Sequence, residues 1–161
     1  MKLFKRNKTE NKKARGFEIV TGNELFFEND VKMPRRSTRQ SAGYDICAIG
    51  DYHIAPGQKV VVDTGLTAYM QEDEFLALFA RSGLSYSHDI TLQNAVGVID
   101  ADYYGNQIRI MVRNEGEKPF SITHGDRIAQ GIFMKYLTVD EDDTQDRAER
   151  TGGFCSTGVQ G

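Results

Sequence analysis

The sequence predicts one all-β domain, and three observations support that fold class. The 161 residues include 16 glycines, seven tyrosines and nine phenylalanines but no tryptophan, a composition that favours strands and turns. Apolar and polar residues alternate in several short runs. Glycine and proline turn signals recur roughly every 8 to 15 residues, which is the spacing of a β-sandwich or β-barrel. A chain of this length is expected to form one domain rather than two.

The first element is a basic tail at residues 1–16, MKLFKRNKTENKKARG, which carries seven Lys or Arg residues and one Glu. Such a segment is typical of a solvated, mobile tail, and an arm that binds nucleic acid or a partner is the alternative. The apolar stretch of a signal peptide does not follow it, and no other segment is long enough to cross a bilayer. We therefore expect a cytoplasmic protein without a membrane partner.

Residues 17–138 form the predicted β domain. In NQIRIMVRN, the side chains of Ile108, Ile110 and Val112 share one face, a pattern that a helix would scatter. Helix is expected to be minor, at most a turn or two after Arg81-Ser82-Gly83. Turn glycines are expected at positions 57, 65, 83, 97, 105, 116 and 125.

Residues 139–161 form the last predicted element, a flexible acidic arm with a glycine-rich end. The segment TVDEDDTQDRAER has six acidic residues in thirteen and almost no apolar ones, and TGGFCSTGVQG follows it. Fully extended, some 24 residues span on the order of 80 Å. The arm is therefore long enough to reach a neighbouring subunit.

Charge and metal-ligand spacing exclude several classes of function. Outside the basic tail the chain carries 13 basic and 22 acidic residues, which argues against a body that grips a nucleic acid polymer by its phosphates. Cys47 and Cys155 are too few for a disulfide framework. The three histidines have no metal-ligand spacing, so no tightly bound transition metal is expected.

The stretch NAVGVIDADYYGN contains the first candidate site. In an extended strand Asp100 follows Val96 and Val98 on a partly apolar face, where a carboxylate needs a partner or a function. Tyr103 would point to the opposite face if the strand stayed regular. Taken alone, IDADYYG is more typical of a hairpin with a polar tip, because Asp, Tyr and Gly are common near turns.

Three further segments offer groups that bind anions or bases. ARSGLS places Arg81, Ser82 and Gly83 at a strand end, where they suit phosphate oxygens, although a surface arginine before a turn is the ordinary interpretation. GDRIAQGIF predicts a turn and a strand that embeds Gln130, as a core amide or as a ligand contact. TGGFCSTG is similar to a phosphate-binding loop in which Phe154 can stack on a base, but it lacks the lysine of a P-loop.

Together, five segments resemble in order and spacing the motifs of the trimeric dUTPase family, over residues 17 to 158. They are SAGYDICA, ARSGLS, NAVGVIDADYYGN, GDRIAQGIF and RTGGFCSTG. The resemblance implies a jelly-roll-like subunit of a homotrimer, with active sites at the subunit interfaces and the C-terminal arm closing over a site of another subunit. It also implies Mg²⁺-dependent hydrolysis of dUTP to dUMP and pyrophosphate, which keeps uracil out of DNA and supplies dUMP for thymidylate synthesis.

The resemblance also assigns roles to residues. Asp100 matches the aspartate that deprotonates the water attacking the α-phosphorus. Asn94 and the backbone around Gly97 correspond to the uracil pocket, where they would match the uracil O4 and N3–H pattern and leave cytosine mispaired. Tyr103 matches the tyrosine that lies against the deoxyribose and leaves no room for a 2′-hydroxyl. Asp45 matches an aspartate near the metal-bound waters, so the protein would hold Mg²⁺ only through water.

The remaining substrate-binding positions are those that the resemblance assigns to the phosphates and to the cover over the base. They are Arg81, Ser82, Gly83, Gln130, Arg150, Phe154, Ser156 and Thr157. The match departs from the family pattern in the last motif, where Glu149 stands at the usual arginine position and Cys155 at a usual glycine. We therefore assign Arg150 to the γ-phosphate, with Arg147 as the alternative. Gly131 replaces the usual aliphatic residue after Gln130.

Other functions compete with simple dUTP hydrolysis. Deamination of dCTP, alone or coupled to dUTP hydrolysis, uses the same scaffold. A protein-binding module would use the basic tail or the acidic arm to bind a regulatory partner. A purely structural jelly roll would have no reason to place Asp100 and Tyr103 with Asn94.

Overall fold

The computed structural model describes residues 13–22 and 28–142, which form eleven strands, one α-helix and two 3₁₀ helices. The all-β prediction is confirmed. The strands are β1 (Gly16–Ile19), β2 (Tyr44–Cys47), β3 (Tyr52–Ile54), β4 (Lys59–Asp63), β5 (Leu66–Tyr69), β6 (Glu74–Ala80), β7 (Ile90–Leu92), β8 (Val96–Asp100), β9 (Arg109–Asn114), β10 (Phe120–Ile122) and β11 (Arg127–Lys135). The helix α1 spans Ser82–His88, and the 3₁₀ helices span Glu28–Asp30 and Ala101–Tyr103.

The strands form four antiparallel sheets. One sheet has the order β2-β11-β6-β8, and a second has the order β4-β9-β7. The two remaining sheets are the pairs β1-β5 and β10-β3. The four-stranded sheet carries most of the predicted site residues, because β2, β11, β6 and β8 contain or adjoin four of the five motifs.

The core lies beneath these sheets and follows the predicted alternation. Ile108, Ile110 and Val112 are all buried, as their shared face predicted. Asn114 continues this face and is also fully buried. Its side-chain nitrogen donates to the carbonyls of Ile54 at 2.9 Å and Lys118 at 2.8 Å, while its oxygen accepts the amide of Gly116 at 2.9 Å. Because every polar atom of this amide is bonded, its burial carries no desolvation penalty of an unpaired group.

The hairpin interpretation of IDADYYG is wrong. Strand β8 pairs with β6, whereas β9 pairs with β4 and β7, so the segment carries the chain from one sheet to another. Its turn is fixed to β5 instead, because the amide of Gly105 donates to the hydroxyl of Thr67 at 2.8 Å. Gly105 has φ +88°, which favours glycine. Two expected turn glycines lie elsewhere, Gly83 in α1 and Gly97 in β8.

The last residues of the basic segment lie against the domain. Strand β1 begins at Gly16, one residue before the expected boundary. The preceding Arg15 donates two hydrogen bonds to the buried Glu74, from its Nε to Oε2 at 3.0 Å and from its Nη2 to Oε1 at 2.6 Å. This hydrogen bonding holds the pKa of Glu74 below its usual value. Within residues 13–22 and 28–142 no helix is both long and apolar enough to span a bilayer.

Candidate active site

Three neighbouring strands bring the predicted phosphate-binding residues together. Asp45 on β2 lies opposite Gln130 on the adjacent β11. On the other side of β11, Ala129 lies opposite Ala80, the last residue of β6, and Arg81 follows directly. Long-range pairing of three strands therefore places Asp45, Gln130 and Arg81 at one end of the four-stranded sheet.

The carboxylate of Asp45 is the centre of this cluster. Its Oδ1 accepts the Nε of Arg81 at 3.0 Å, and its Oδ2 accepts the Nη1 of Arg127 at 3.0 Å. The hydroxyl of Ser37 donates to the same Oδ2 at 2.8 Å. Arg81 also donates from Nη1 to the carbonyl of Arg127 at 3.1 Å. One carboxylate thus fixes two arginines, and we call these three residues with Ser37 the Asp45 network.

The pKa of Asp45 reflects the balance between burial and these partners. Burial acts to raise it, but the hydrogen bonds from Ser37 and Arg127 and the charges of Arg81 and Arg127 together bring it below the usual value. The carboxylate is therefore ionised at neutral pH. Its single negative charge balances only one of the two guanidinium charges, so the network keeps a net positive charge.

Gln130 is held by its strand neighbours. Its Nε2 donates to the carbonyl of Ala80 at 3.2 Å. Its Oε1 lies so close to Gly43 that a Cβ at that position would come within 2.5 Å of it. The glycine of SAGYD is thus explained by the space that the Gln130 side chain needs. The backbone contact fixes the amide and leaves further hydrogen-bonding capacity for a ligand.

Ser82 and Gly83 form the exposed first turn of α1. The amides of Leu84 and Ser85 donate to the carbonyl of Arg81 at 3.0 and 3.1 Å. The amides of Ser82 and Gly83 precede these bonds and have no carbonyl of their own helix to bind. The predicted strand end after Ala80 and a helix of at most two turns are confirmed, but the helix begins at Ser82 rather than after Gly83.

Asp100 lies away from this cluster. It is the last residue of β8 and lies opposite Phe75 near the start of β6, whereas Arg81 follows the end of β6. Six residues of strand separate these positions, which corresponds to roughly 20 Å at the rise of a β-strand. One chain therefore does not bring Asp100 to the Asp45 network.

The face that Asp100 occupies is the predicted one. Val96 and Val98 share it and are 39% and 58% exposed, while Gly97 on the other face is buried. Asp100 itself lines an open cleft of about 500 Å³ together with Glu72, Glu74 and Asp102. The described chain thus leaves this apolar face and the acidic cleft beside it accessible.

The other residues of NAVGVIDADYYGN are held by local contacts. Asn94 is exposed just before β8, and its carbonyl accepts the amide of Val96 at 2.6 Å. Gly97 packs against the side chain of Leu78. The strand does not stay regular as far as Tyr103, because β8 ends at Asp100 and Tyr103 closes a 3₁₀ helix. Its ring is buried, and its hydroxyl donates to the carbonyl of Gln107 at 3.1 Å.

Several predicted site residues lie outside the described part of the chain. They are Arg147, Arg150, Phe154, Cys155, Ser156 and Thr157. Conversely, the sequence analysis missed Arg127 and Ser37, which both bind Asp45. Arg127 was within reach, since it stands in GDRIAQGIF three residues before Gln130. Ser37 carried no signal, because it lies in an irregular segment eight residues before Asp45.

The lone-pair capacity that remains on Asp45 suits contact with a cation through a bound water rather than direct coordination. Within residues 13–22 and 28–142, no group of three His, Cys, Asp or Glu side chains is arranged to hold a metal ion. Of the roughly four lone-pair sites of a carboxylate, the three hydrogen bonds at Asp45 leave one. That site can accept a hydrogen bond from a metal-bound water.

Comparisons with known proteins agree with one another. Residues 29–158 match the family model described as dUTPase. The chain is 43% identical over 152 residues to the deoxyuridine 5′-triphosphate nucleotidohydrolase of Lactococcus lactis, which covers 91% of this chain and 99% of that protein. A dUTPase structure from Streptococcus mutans has 37% identity and a TM-score of 0.70, covering 78% of this chain and 98% of that one.

A more distant structure supports the fold. The dUTPase from phage phi11 of Staphylococcus aureus, described with a structural Mg(II) ion, has 20% identity and a TM-score of 0.68. That match covers 86% of this chain and 98% of that one.

The packing around Gly43 leads to a testable expectation. In a Gly43→Ala variant the new methyl group must displace the Gln130 amide, which we expect to lower the free energy of unfolding by about 1–3 kcal/mol. Gly83→Ala is the matched control, because a Cβ at Gly83 meets no atom within 4 Å. Urea denaturation at one protein concentration measures both. Equal stability of the two variants would contradict the assigned role of Gly43.

Proposed function

The chain belongs to the dUTPase family and hydrolyses dUTP, and we propose that a water molecule deprotonated by Asp100 attacks the α-phosphorus to release dUMP and pyrophosphate. The observation that carries this proposal is the Asp45 network, which holds Arg81 beside Gln130 at the end of the four-stranded sheet. The exposed, strand-end position of Asp100 suits a base that reaches a substrate from another direction.

Arg81 is the proposed main ligand of the phosphate chain. Its Nε binds Asp45 and its Nη1 binds the carbonyl of Arg127, so the guanidinium is fixed while its remaining N–H groups stay available. The amides of Ser82 and Gly83 add neutral donors beside it. Because a triphosphate repels an attacking oxygen, these groups favour the reaction by neutralising its charge before the attack. Gln130 would donate to the α-phosphate.

Magnesium is the proposed cofactor, held by substrate phosphates and by water. The remaining lone pair of Asp45 would orient one of the metal-bound waters. When bound, the ion supplies further charge neutralisation along the triphosphate.

The active site is proposed to be shared between subunits of a homotrimer. A single chain holds Asp100 and Arg81 roughly 20 Å apart along β6, too far for both to act on one α-phosphate. The exposed Val96 and Val98 lie on the same face as Asp100, which favours burial of this face against another copy of the chain. In this arrangement Asp100 of one subunit and Arg81 of another act in the same active site.

The nucleoside would be recognised by the segment that contains Asp100. Asn94 and the backbone around Gly97 would bind the uracil edge, and a cytosine would leave their groups unpaired. The Tyr103 ring is fixed by the bond from its hydroxyl to Gln107, so it forms a rigid wall against the deoxyribose. The arm of a further subunit would complete the site, with Phe154 over the uracil and Arg150, Ser156 and Thr157 at the γ-phosphate.

The substrate assignment is tested by pyrophosphate release from dUTP, dCTP, dTTP and UTP in parallel, each with Mg²⁺. We expect release from dUTP alone, because the other three differ at the base edge, the base methyl group or the 2′-hydroxyl. Ammonia release from dCTP would establish deamination instead. Equal rates with dUTP and UTP would remove Tyr103 from its proposed role.

The role of Asp100 is tested by Asp100→Asn. Loss of the general base is expected to lower turnover by about 10² to 10⁴-fold while dUTP binding stays within a few-fold of wild type. Asp102→Asn is the matched control, since it removes the same charge two residues further along, and we expect it to leave turnover within about threefold. If Asp100→Asn turned over dUTP at the wild-type rate, another group would have to be the base.

The shared site is tested by mixing two inactive chains, Asp100→Asn and Arg81→Ala. Suppose that each site takes these two residues from different subunits. When equal amounts of the two variant chains assemble at random, about a quarter of the sites then contain both an intact Asp100 and an intact Arg81. Coexpression should then recover about a quarter of the wild-type turnover, although each variant alone is inactive. A mixture as inactive as its components would show that one chain supplies both residues.

A further inference from the structure

A basic cleft adjoins the Asp45 network, and its cations Lys32 and Arg35 have no role in the proposed mechanism. It has a volume of about 560 Å³, and among the described residues its charged lining is Lys32, Arg35, Arg36 and Arg127 with one carboxylate, that of Asp45. A water molecule takes up roughly 30 Å³, so the cleft can hold a hydrated anion of several phosphate units. We refer to it as the basic cleft.

The positive charges of the basic cleft are not compensated. Asp45 is already bound by both Arg81 and Arg127. Within residues 13–22 and 28–142, the side chains of Lys32 and Arg35 have no ion pair and no hydrogen bond. Gathering like charges without a counter-charge is unfavourable, and it is notable in a chain whose formal net charge is -3.

Arg36 shows what a structural arginine does in the same segment. Its Nη1 donates to the carbonyls of Arg39 at 2.9 Å and Ser41 at 3.2 Å, so its guanidinium fastens the loop. It also lies over the ring of Tyr44. The side chains of Lys32 and Arg35 make no such contact with any described residue, so their charged groups are available to a ligand there.

The structure places the ammonium group of Lys32 and the backbone of Arg35 beside the Asp45 network. The ammonium group of Lys32 lies directly against Gly125, where a side chain at position 125 would overlap it. The carbonyl of Arg35 accepts the amide of Asp45 at 2.9 Å, which ties this residue to the end of β2.

The electrostatic effect on Cys47 agrees with this description. Burial raises the pKa of its thiol, and Asp45 acts in the same direction, but Lys32, Arg127 and Arg81 each act to lower it. Cys47 also lines the basic cleft. Three separate cations therefore exert their charge on the floor of this cleft.

We propose that the basic cleft is a second phosphate subsite, in which Lys32 and Arg35 bind a pyrophosphate-type anion beside the Asp45 network. The inference rests on the proposed function, because dUTP hydrolysis provides two sources of this chemistry. One source is the distal phosphates of dUTP, and the other is the pyrophosphate that the reaction releases. In either case Arg127 links the two subsites, since it lines the cleft and binds Asp45.

The test uses the full chain and inorganic pyrophosphate as the probe, titrated calorimetrically without substrate. The variant is Lys32→Gln with Arg35→Gln, and the matched control is Lys59→Gln with Arg39→Gln, which removes the same charge from exposed positions outside the cleft. Losing two charge-assisted contacts should raise the dissociation constant of pyrophosphate by about tenfold or more, while the control stays within about twofold. Thermal unfolding of each variant verifies that the fold is unchanged.

The KM for dUTP distinguishes the two sources. A parallel rise in KM would assign the subsite to the distal phosphates of bound dUTP, whereas an unchanged KM with weaker pyrophosphate binding would assign it to the released product. Unchanged pyrophosphate binding, or an equal loss in the control, would overturn the proposal. Because the titration needs no turnover, a wild-type chain that binds pyrophosphate through Lys32 and Arg35 but does not hydrolyse dUTP would refute the proposed function and leave this subsite standing.

Discussion

The arrangement of the end of the four-stranded sheet at which we propose that phosphates bind depends on one interaction, the contact of the Asp45 carboxylate with Arg81 and Arg127. These residues come from β2, from the end of β6 and from the start of β11, so a single side chain fastens the ends of three strands. Since its hydrogen bonds and neighbouring charges hold the pKa of Asp45 below the usual value, its stabilising effect is complete above that value and is lost only as the pH falls through the lowered one. The network therefore stays intact across the neutral range.

Strand geometry imposes the second constraint. Because β8 runs antiparallel to β6, Asp100 at its end lies beside the start of β6, and Arg81 lies beyond the opposite end. The loop of a regular hairpin is too short to bridge the distance from Asp100 to Arg81. The segment after Asp100 runs in a different direction. It turns into a 3₁₀ helix and passes to another sheet, fixed by the contacts of Gly105 and Tyr103. Within one chain, the pairing of β6 with β8 therefore keeps Asp100 away from Arg81.

The sequence was informative wherever the structure depends on neighbours along the chain. The period of two in β9, the short helix after Arg81 and the face shared by Val96, Val98 and Asp100 all follow from local patterns, and the structure agrees with them. The prediction of a hairpin at IDADYYG was wrong because local turn residues do not reveal which sheet the next strand joins. The partners of Asp45 were equally hidden, since Arg127 reaches it from 82 residues away.

The packing around Gly131 is a second feature that the sequence alone does not reveal. The sequence shows only that a glycine replaces the usual aliphatic residue. In the structure a Cβ at this position would lie 3.0 Å from Leu76 Cδ1 and 3.3 Å from Ile46 Cδ1, so the side chains of the neighbouring strands already occupy the space. Side chains from β6 and β2 thus fill the space beside Gly131, a relation that no window of consecutive residues contains.

The distribution of charge gives a physical reason for the proposed sharing of sites. One end of the four-stranded sheet carries Arg81 and Arg127 around a single carboxylate, with Lys32 and Arg35 beside them. The cleft at Asp100, beyond the other end of β6, is lined by acidic side chains, and of these Glu74 is neutralised by Arg15. Copies of the chain that meet through opposite ends would bring unlike charges together, whereas like ends would repel. A triphosphate between the two ends would be attracted to the arginines and kept away from the carboxylates, so that only its α-phosphate end approaches the base.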